Sequence, residues 1–273
     1  MPLEIVAASP MFVGVTLLTA PLELGGSWGH SAPADAAAVI ERMRAACLMD
    51  VAMLSGQQPA KLRVDNHSGS NPSIWLHTEE PTTGWIIVIV GRRDWCNLAY
   101  QFGHELGHVI CNSWELDAAP RNPCQWIEEA LAEAFSLRGL GLLADDWEHA
   151  PPFPNDASYA SSIRNYRENI LAGYRGTALD QGISAGFGRW FKIYEAFLST
   201  HGNVSAAAGA VPAVLSLLEN DTALIADIGA LNLWPGRSGV PLHDYFDLWK
   251  LSCAALNVPG RLPVLLWELI TGP

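Results

Sequence analysis

At 273 residues, with 49% hydrophobic and only 16% charged side chains, the chain has ample material for a core and is near the upper limit for a single one. Its net charge of −12 leaves no basic stripe to release counterions, which argues against nucleic acid or an anionic membrane as the principal partner. Five cysteines, an odd count with no CxxC pair, read as reduced thiols, and no run reaches the length of a membrane span. The mild apolar run Met11–Ala20 follows a segment with Glu4 and no Lys or Arg, unlike a secretory signal, so a cytoplasmic protein is expected.

In chain order, Ala34–Leu54 carries a helical pattern, and Lys61–Val64, Ser73–Thr78 and Trp85–Val90 read as strands. The turns Ser68-Gly69-Ser70-Asn71-Pro72 and Glu80-Pro81-Thr82-Thr83-Gly84 separate them, which predicts a small, mostly antiparallel meander. The unbroken apolar character of Trp85–Val90 fits a strand buried on both faces, leaving Ser73–Thr78 as the edge. Next comes an amphipathic helix with Asp94 as its N-cap. At about 100° per residue, Asn97, Gln101, His104, His108 and Asn112 share one polar sector with Glu105 at its margin, opposite Leu98, Phe102, Leu106, Val109 and Ile110. Gly103 and Gly107 each cost such a helix about 1 kcal/mol relative to alanine, which signals close approach of another segment. A second helix runs from Pro123 through Ser136 and is closed by Gly139, with Gln125, Glu129, Glu133 and Ser136 along one face. Ala150–Ser162, rich in proline and small residues, reads as a linker or flap, so residues 1–149 form one lobe and 150–273 a helical second lobe, or the two are continuous. Helical patterns follow at Ser162–Gly173, Gly186–Ser199, Val204–Leu218, Leu242–Leu256 and Pro263–Thr271, and the eleven tryptophans read as core and lobe-interface packing.

His104-Glu105-Leu106-Gly107-His108 is the most specific pattern in the chain. On a helix, two histidines four apart share a face and can hold one Zn²⁺, while the adjacent Glu105 serves as base toward a metal-activated water. Catalytic zinc takes three protein ligands, and the acidic face of the second helix offers the third. Glu129 is the ligand on this reading, with Glu133 one turn on as a carboxylate that orients a ligand histidine through its other ring nitrogen. Glu128, about 100° away, stands as an alternative to Glu129 and not as a companion. Cys111, three residues past His108, is a further conceivable ligand, less suited to hydrolysis than an acid.

His104–His108, followed about twenty residues later by Trp126-Ile-Glu-Glu-Ala-Leu-Ala132, resembles the gluzincin branch of zinc metallopeptidases, the peptidase MA-like enzymes. Aminopeptidases of that branch carry a Trp-Leu-Asn-Glu-Gly-Phe-Ala-like segment whose Glu maps onto Glu129. Glu129 followed by Ala132, Glu133 and Phe135 is also similar to small bacterial peptidases related to repressor-cleaving regulators, and both comparisons choose the same ligand. The resemblance spans Tyr100 to Leu137; Glu133 stands where thermolysin-like relatives have Asp, and no Gly-x-Met-Glu-Asn-like exopeptidase segment occurs. It implies an α+β, zincin-like fold, one zinc per chain, and hydrolysis of a peptide or protein substrate by a metal-activated water with Glu105 as general base. It also implies an edge strand that pairs with the substrate backbone, and an oxyanion donor from the carboxyl-terminal half. Tyr194 sits roughly where relatives place that donor, among the candidates Tyr166, Tyr174, His201, His243 and Tyr245. Three other readings stay open: a regulatory protease specific for one protein partner, a catalytically silent zinc-binding scaffold, and a metal-free interaction module.

Overall fold

The computed structural model describes residues 17–29, 31–49, 51, 54, 58–67 and 71–272. Most of the Met11–Ala20 run, part of the turn at 68–72 and much of 50–57 lie outside these residues. The chain is α+β. Strand β1 (Leu22–Gly26) leads into helix α1 (Pro33–Leu48), which returns to β2 (Lys61–Asn66); β3 (Ser73–Ile74) and β4 (Thr83–Val88) follow.

The sheet order is β1-β2-β4-β3, with β1 parallel to β2, β2 parallel to β4, and only β3 antiparallel to β4. The expected mostly antiparallel meander is therefore corrected to a mixed sheet in which two of the three pairings are parallel. The reason lies in the two connections. Helix α1 forms a β-α-β crossover, which joins parallel neighbours, and the short β3 passes to the outside so that β4 slots in beside β2. The apolar β4 is interior as its composition demands, with Ile86 and Val88 fully buried, and β3 is the edge, cut to two residues beside Pro72. One further hydrogen bond, Trp75 N–H to the Trp85 carbonyl at 2.7 Å, extends that pairing.

Helix α2 (Trp95–Ile110) carries the histidines. Asp94 stands at its N-cap position, but its carboxylate accepts from the Asn97 side-chain amide (3.1 Å) and bonds no helix N–H. Helix α3 (Gln125–His149) runs straight through Gly139, where a stop was expected. A Cβ at Gly139 would lie 2.3 Å from Cys47 Sγ and 2.8 Å from Met43 Cε, so this glycine admits α1 to the helix surface and does not end the helix. The 149/150 position is the carboxyl end of α3, and Phe153 beyond it packs on Trp95 and Trp147.

The remaining chain is helical: α4 (Tyr159–Asp180), a 3₁₀ turn at Ile183–Ala185, α5 (Phe187–Leu198), α6 (Val204–Ala207), α7 (Val211–Asn220), α8 (Leu224–Ile228), α9 (Leu242–Ala255) and α10 (Arg261–Thr271). The pattern at Val204–Leu218 is broken into α6 and α7 around Ala208–Ala210, just ahead of Pro212, and α8 had no counterpart in the sequence reading. Helix α3 lies at the centre, against α1 and α2 on one side and α4, α6 and α7 on another, and one buried apolar cluster runs from Leu17 to Ile270. Among the described residues no helix is long and apolar enough to cross a membrane, and all five thiols are buried and free.

Candidate metal centre

The site forms where α2 lies directly on α3. A Cβ on Gly107 would stand 2.7 Å from the Ala132 Cα, so only glycine lets the two backbones meet there. That contact sits one residue before His108 and three after Glu129, and it draws the residues on which the sequence reading converged into one place. His104 Nε2 and His108 Nε2 converge at 3.2 Å, and Glu129 Oε2 lies 3.7 Å and 3.9 Å from them. These three residues are the one His/Cys/Asp/Glu group among those described whose ligand atoms lie within 4.8 Å of one another.

The donor set fits zinc. Ligand bonds of about 2.0–2.2 Å in a tetrahedron put neighbouring ligand atoms about 3.4 Å apart, and the observed 3.2, 3.7 and 3.9 Å bracket that value. Each ring is also held from behind. His104 Nδ1 donates to Glu133 Oε2 at 2.9 Å, and His108 Nδ1 donates to Glu128 Oε1 at 2.6 Å. With both Nδ1–H groups engaged, both Nε2 lone pairs face the same point.

Glu133 thus bonds the far nitrogen of His104, and it also accepts the Tyr100 hydroxyl at 2.9 Å. Glu128 departs from expectation: it is a companion to Glu129, because it reaches the far nitrogen of His108 and leaves the near one to the ligand group. A signal for it was present. Glu128 shares its helix face with Leu131, Ala132 and Phe135, all buried, and a carboxylate on an apolar face needs a partner.

Glu105 is 4% exposed, and its carboxyl makes no hydrogen bond or ion pair among the described residues. Burial pushes its pKa up, against the opposing pull of the His104 and His108 charges. Burial works against charge on the imidazoles and on Glu129 too, but there the partners win. The nearby Glu129 carboxylate and the bonded Glu133 hold the His104 pKa well above its usual value, and the bond to Glu128 raises His108. His104 and His108 in turn hold the Glu129 carboxyl below the usual range. The centre therefore pairs one carboxylate kept charged with another, beside it, that takes up a proton more readily.

The other candidates are dispersed. Tyr194 stacks on Trp190 at 5.9 Å within the aromatic cluster of Trp126 and Phe191. Tyr174, on α4, interacts with Glu133 and Tyr100, and Tyr166, on the same helix, packs edge-on against Tyr100 at 6.0 Å and donates to Asn97 Oδ1 at 3.2 Å. His201 stacks on Phe197, His243 lies exposed by Asp247, and Tyr245 is buried. Cys111, fully buried just past the end of α2, stays outside the ligand group. Comparison of the chain with protein-family models, with curated proteins and with solved structures finds no match in any of the three.

Proposed function

We propose that the chain is a zinc-dependent peptidase of gluzincin type, in which His104, His108 and Glu129 hold one zinc ion and Glu105 is the general base. The observation that carries the reading is Glu105 itself: a buried, unbonded carboxyl beside two imidazoles whose metal-binding nitrogens converge. A purely structural metal site has no need of such a group, because its ligands already satisfy the metal. When bound, zinc supplies Lewis acidity and a water that ionises at a pH of about 7. Glu105 accepts a proton at its carboxylate, and its burial keeps that carboxylate from being held in its charged form by bulk water. The same carboxyl then delivers that proton to the leaving amine of the peptide. Glu128 and Glu133 keep the imidazoles in register throughout, and the low exposure of the site limits competing bulk water.

The test is metal content and peptide-library cleavage for the wild type and Glu105→Gln. About one zinc per chain is expected in both, with hydrolysis in the wild type alone; cleavage retained by the variant would sink the mechanism. A second reading, a zinc site that only fastens α2 to α3, is favoured by the closure of the centre, where the His104 and Glu129 side chains are 15% and 14% exposed. Equimolar zinc, no hydrolysis by the wild type, and a large loss of stability on chelation would select it. The same closure suits a protease opened by one protein partner, which would cleave that partner and leave generic peptides intact.

A further inference from the structure

Glu128 is fully buried, and each of its oxygens takes one hydrogen bond. Oε1 accepts from His108 Nδ1 at 2.6 Å, and Oε2 accepts from Asn232 Nδ2 at 2.7 Å, from a residue 104 positions further along the chain. Asn232 is 1% exposed and lies in the turn after α8. Its φ of +58° is the left-handed conformation, which asparagine tolerates better than most residues.

That turn is fastened to the end of the histidine helix from both sides. Asn112, two residues past the end of α2 with φ +64°, donates its side-chain amide to the carbonyls of Gly229 (3.0 Å) and Leu231 (2.8 Å). Arg237 Nη1 donates back to the carbonyls of Asn112 and Asn232, and Nη2 pairs with Glu115 at 3.0 Å. Asn232 Oδ1 and the Tyr245 hydroxyl are both buried without a hydrogen bond of good geometry and are close enough to interact. This buried polar construction, carried on a left-handed residue, delivers one amide N–H to the free oxygen of Glu128.

We propose that Asn232 is a positioning residue for the metal centre, acting through Glu128 on the orientation of the His108 ring. This rests on the reading of His104, His108 and Glu129 as metal ligands. A carboxyl group in an apolar interior is tolerable only when its oxygens are satisfied. With the Asn232 amide in place, Glu128 has one fixed rotamer, and His108 has one fixed ring plane with Nε2 turned to the centre. Without it, one oxygen of Glu128 is orphaned, and the carboxylate turns away or shares its remaining donor. The carboxyl-terminal half of the chain thereby sets the metal affinity of a site built wholly from the amino-terminal half.

The test uses the full chain, with zinc affinity read by competition against a chromophoric chelator and folding read by the melt of the metal-free protein. Asn232→Gly and Asn232→Asp both accept the left-handed backbone, so neither variant strains the turn. Asn232→Gly is expected to weaken zinc binding about 10–100-fold, and Asn232→Asp more, because it sets a second carboxylate against Glu128. In a Glu128→Leu background, Asn232→Gly is expected to cause no further loss of affinity, whereas a merely structural role gives the same loss in both backgrounds. The inference alone is overturned if the wild type binds zinc and both variants bind it equally well, or if the two losses add. Wild-type protein that takes up no zinc overturns the metal-site reading and this inference with it.

Discussion

Substituting Gly107 by alanine puts the two-helix construction of the site to its hardest test. The new methyl carbon would stand 2.7 Å from the Ala132 Cα, and ordinary carbon contacts lie at about 3.5–4.0 Å, so the helices must part by about 1 Å. The obstacle is backbone, which no side-chain rotation can relieve. Alanine returns about 1 kcal/mol of helix propensity, and overpacking costs about 1–3 kcal/mol, so the net loss of stability is small, about 0–2 kcal/mol. The site is far less forgiving. With bonds of about 2.0–2.2 Å, two ligand atoms on one zinc cannot stand more than about 4.2 Å apart, and His108 Nε2 to Glu129 Oε2 is already 3.9 Å. A further 1 Å takes that pair out of range. The expected result is a urea midpoint close to wild type for the metal-free protein, with zinc affinity reduced by two orders of magnitude or more. Chelator competition and urea unfolding on the same preparations measure both. Unchanged zinc affinity in a folded Gly107→Ala protein would refute the claim that this contact sets the ligand spacing.

Glu133→Gln keeps the shape of the side chain but weakens its hold on His104, so zinc affinity should fall about 10–100-fold while the fold persists; equal affinity would exclude an orienting role. Asp227→Ala removes a fully buried carboxylate that accepts the N–H groups of Gly260 and Leu262, each at 2.8 Å, at the start of α10. It should cost about 2–4 kcal/mol in urea unfolding, and a loss below about 1 kcal/mol would contradict this. Burial pushes the thiols of Cys47, Cys124 and Cys253 up to about 12 from an ordinary 9.0. The unfolded thiols ionise first, so this contribution is fully present below pH 9 and is lost as the pH climbs toward 12. The urea midpoint should fall over that window; a flat profile would contradict it.

The site was far more legible in the sequence than the sheet. His104, His108, Glu129 and Glu133 are separated by whole helical turns or lie on one helix face, and that periodicity is a property of local sequence. Strand pairing is not local. The edge position of β3 and the burial of β4 could be read from length and composition, but nothing in the strand sequences states that α1 would act as a crossover and make β1 and β2 parallel. Gly139 misled because a glycine that ends a helix and one that admits a neighbour look alike in one dimension, and only Met43 and Cys47 tell them apart. Asn232 was beyond reach for the same reason: its partner Glu128 is 104 residues away, joined by a turn with no periodic signature.

Helix α3 has 25 residues, so it is a rod about 37 Å long with an unbroken backbone ladder. Its first turns present Glu128, Glu129 and Glu133 to the histidines, and its middle rests on Met43 and Cys47 at Gly139. Ten residues, about 15 Å, separate Glu129 from that resting point, so a tilt of about 4° there swings the ligand by about 1 Å. The length of the rod multiplies a small change at this glycine into a larger one at Glu129. On the reading of Glu129 as a metal ligand, Met43 and Cys47, about three helical turns from the centre and with no chemistry in common with it, bear on the spacing of the ligand atoms.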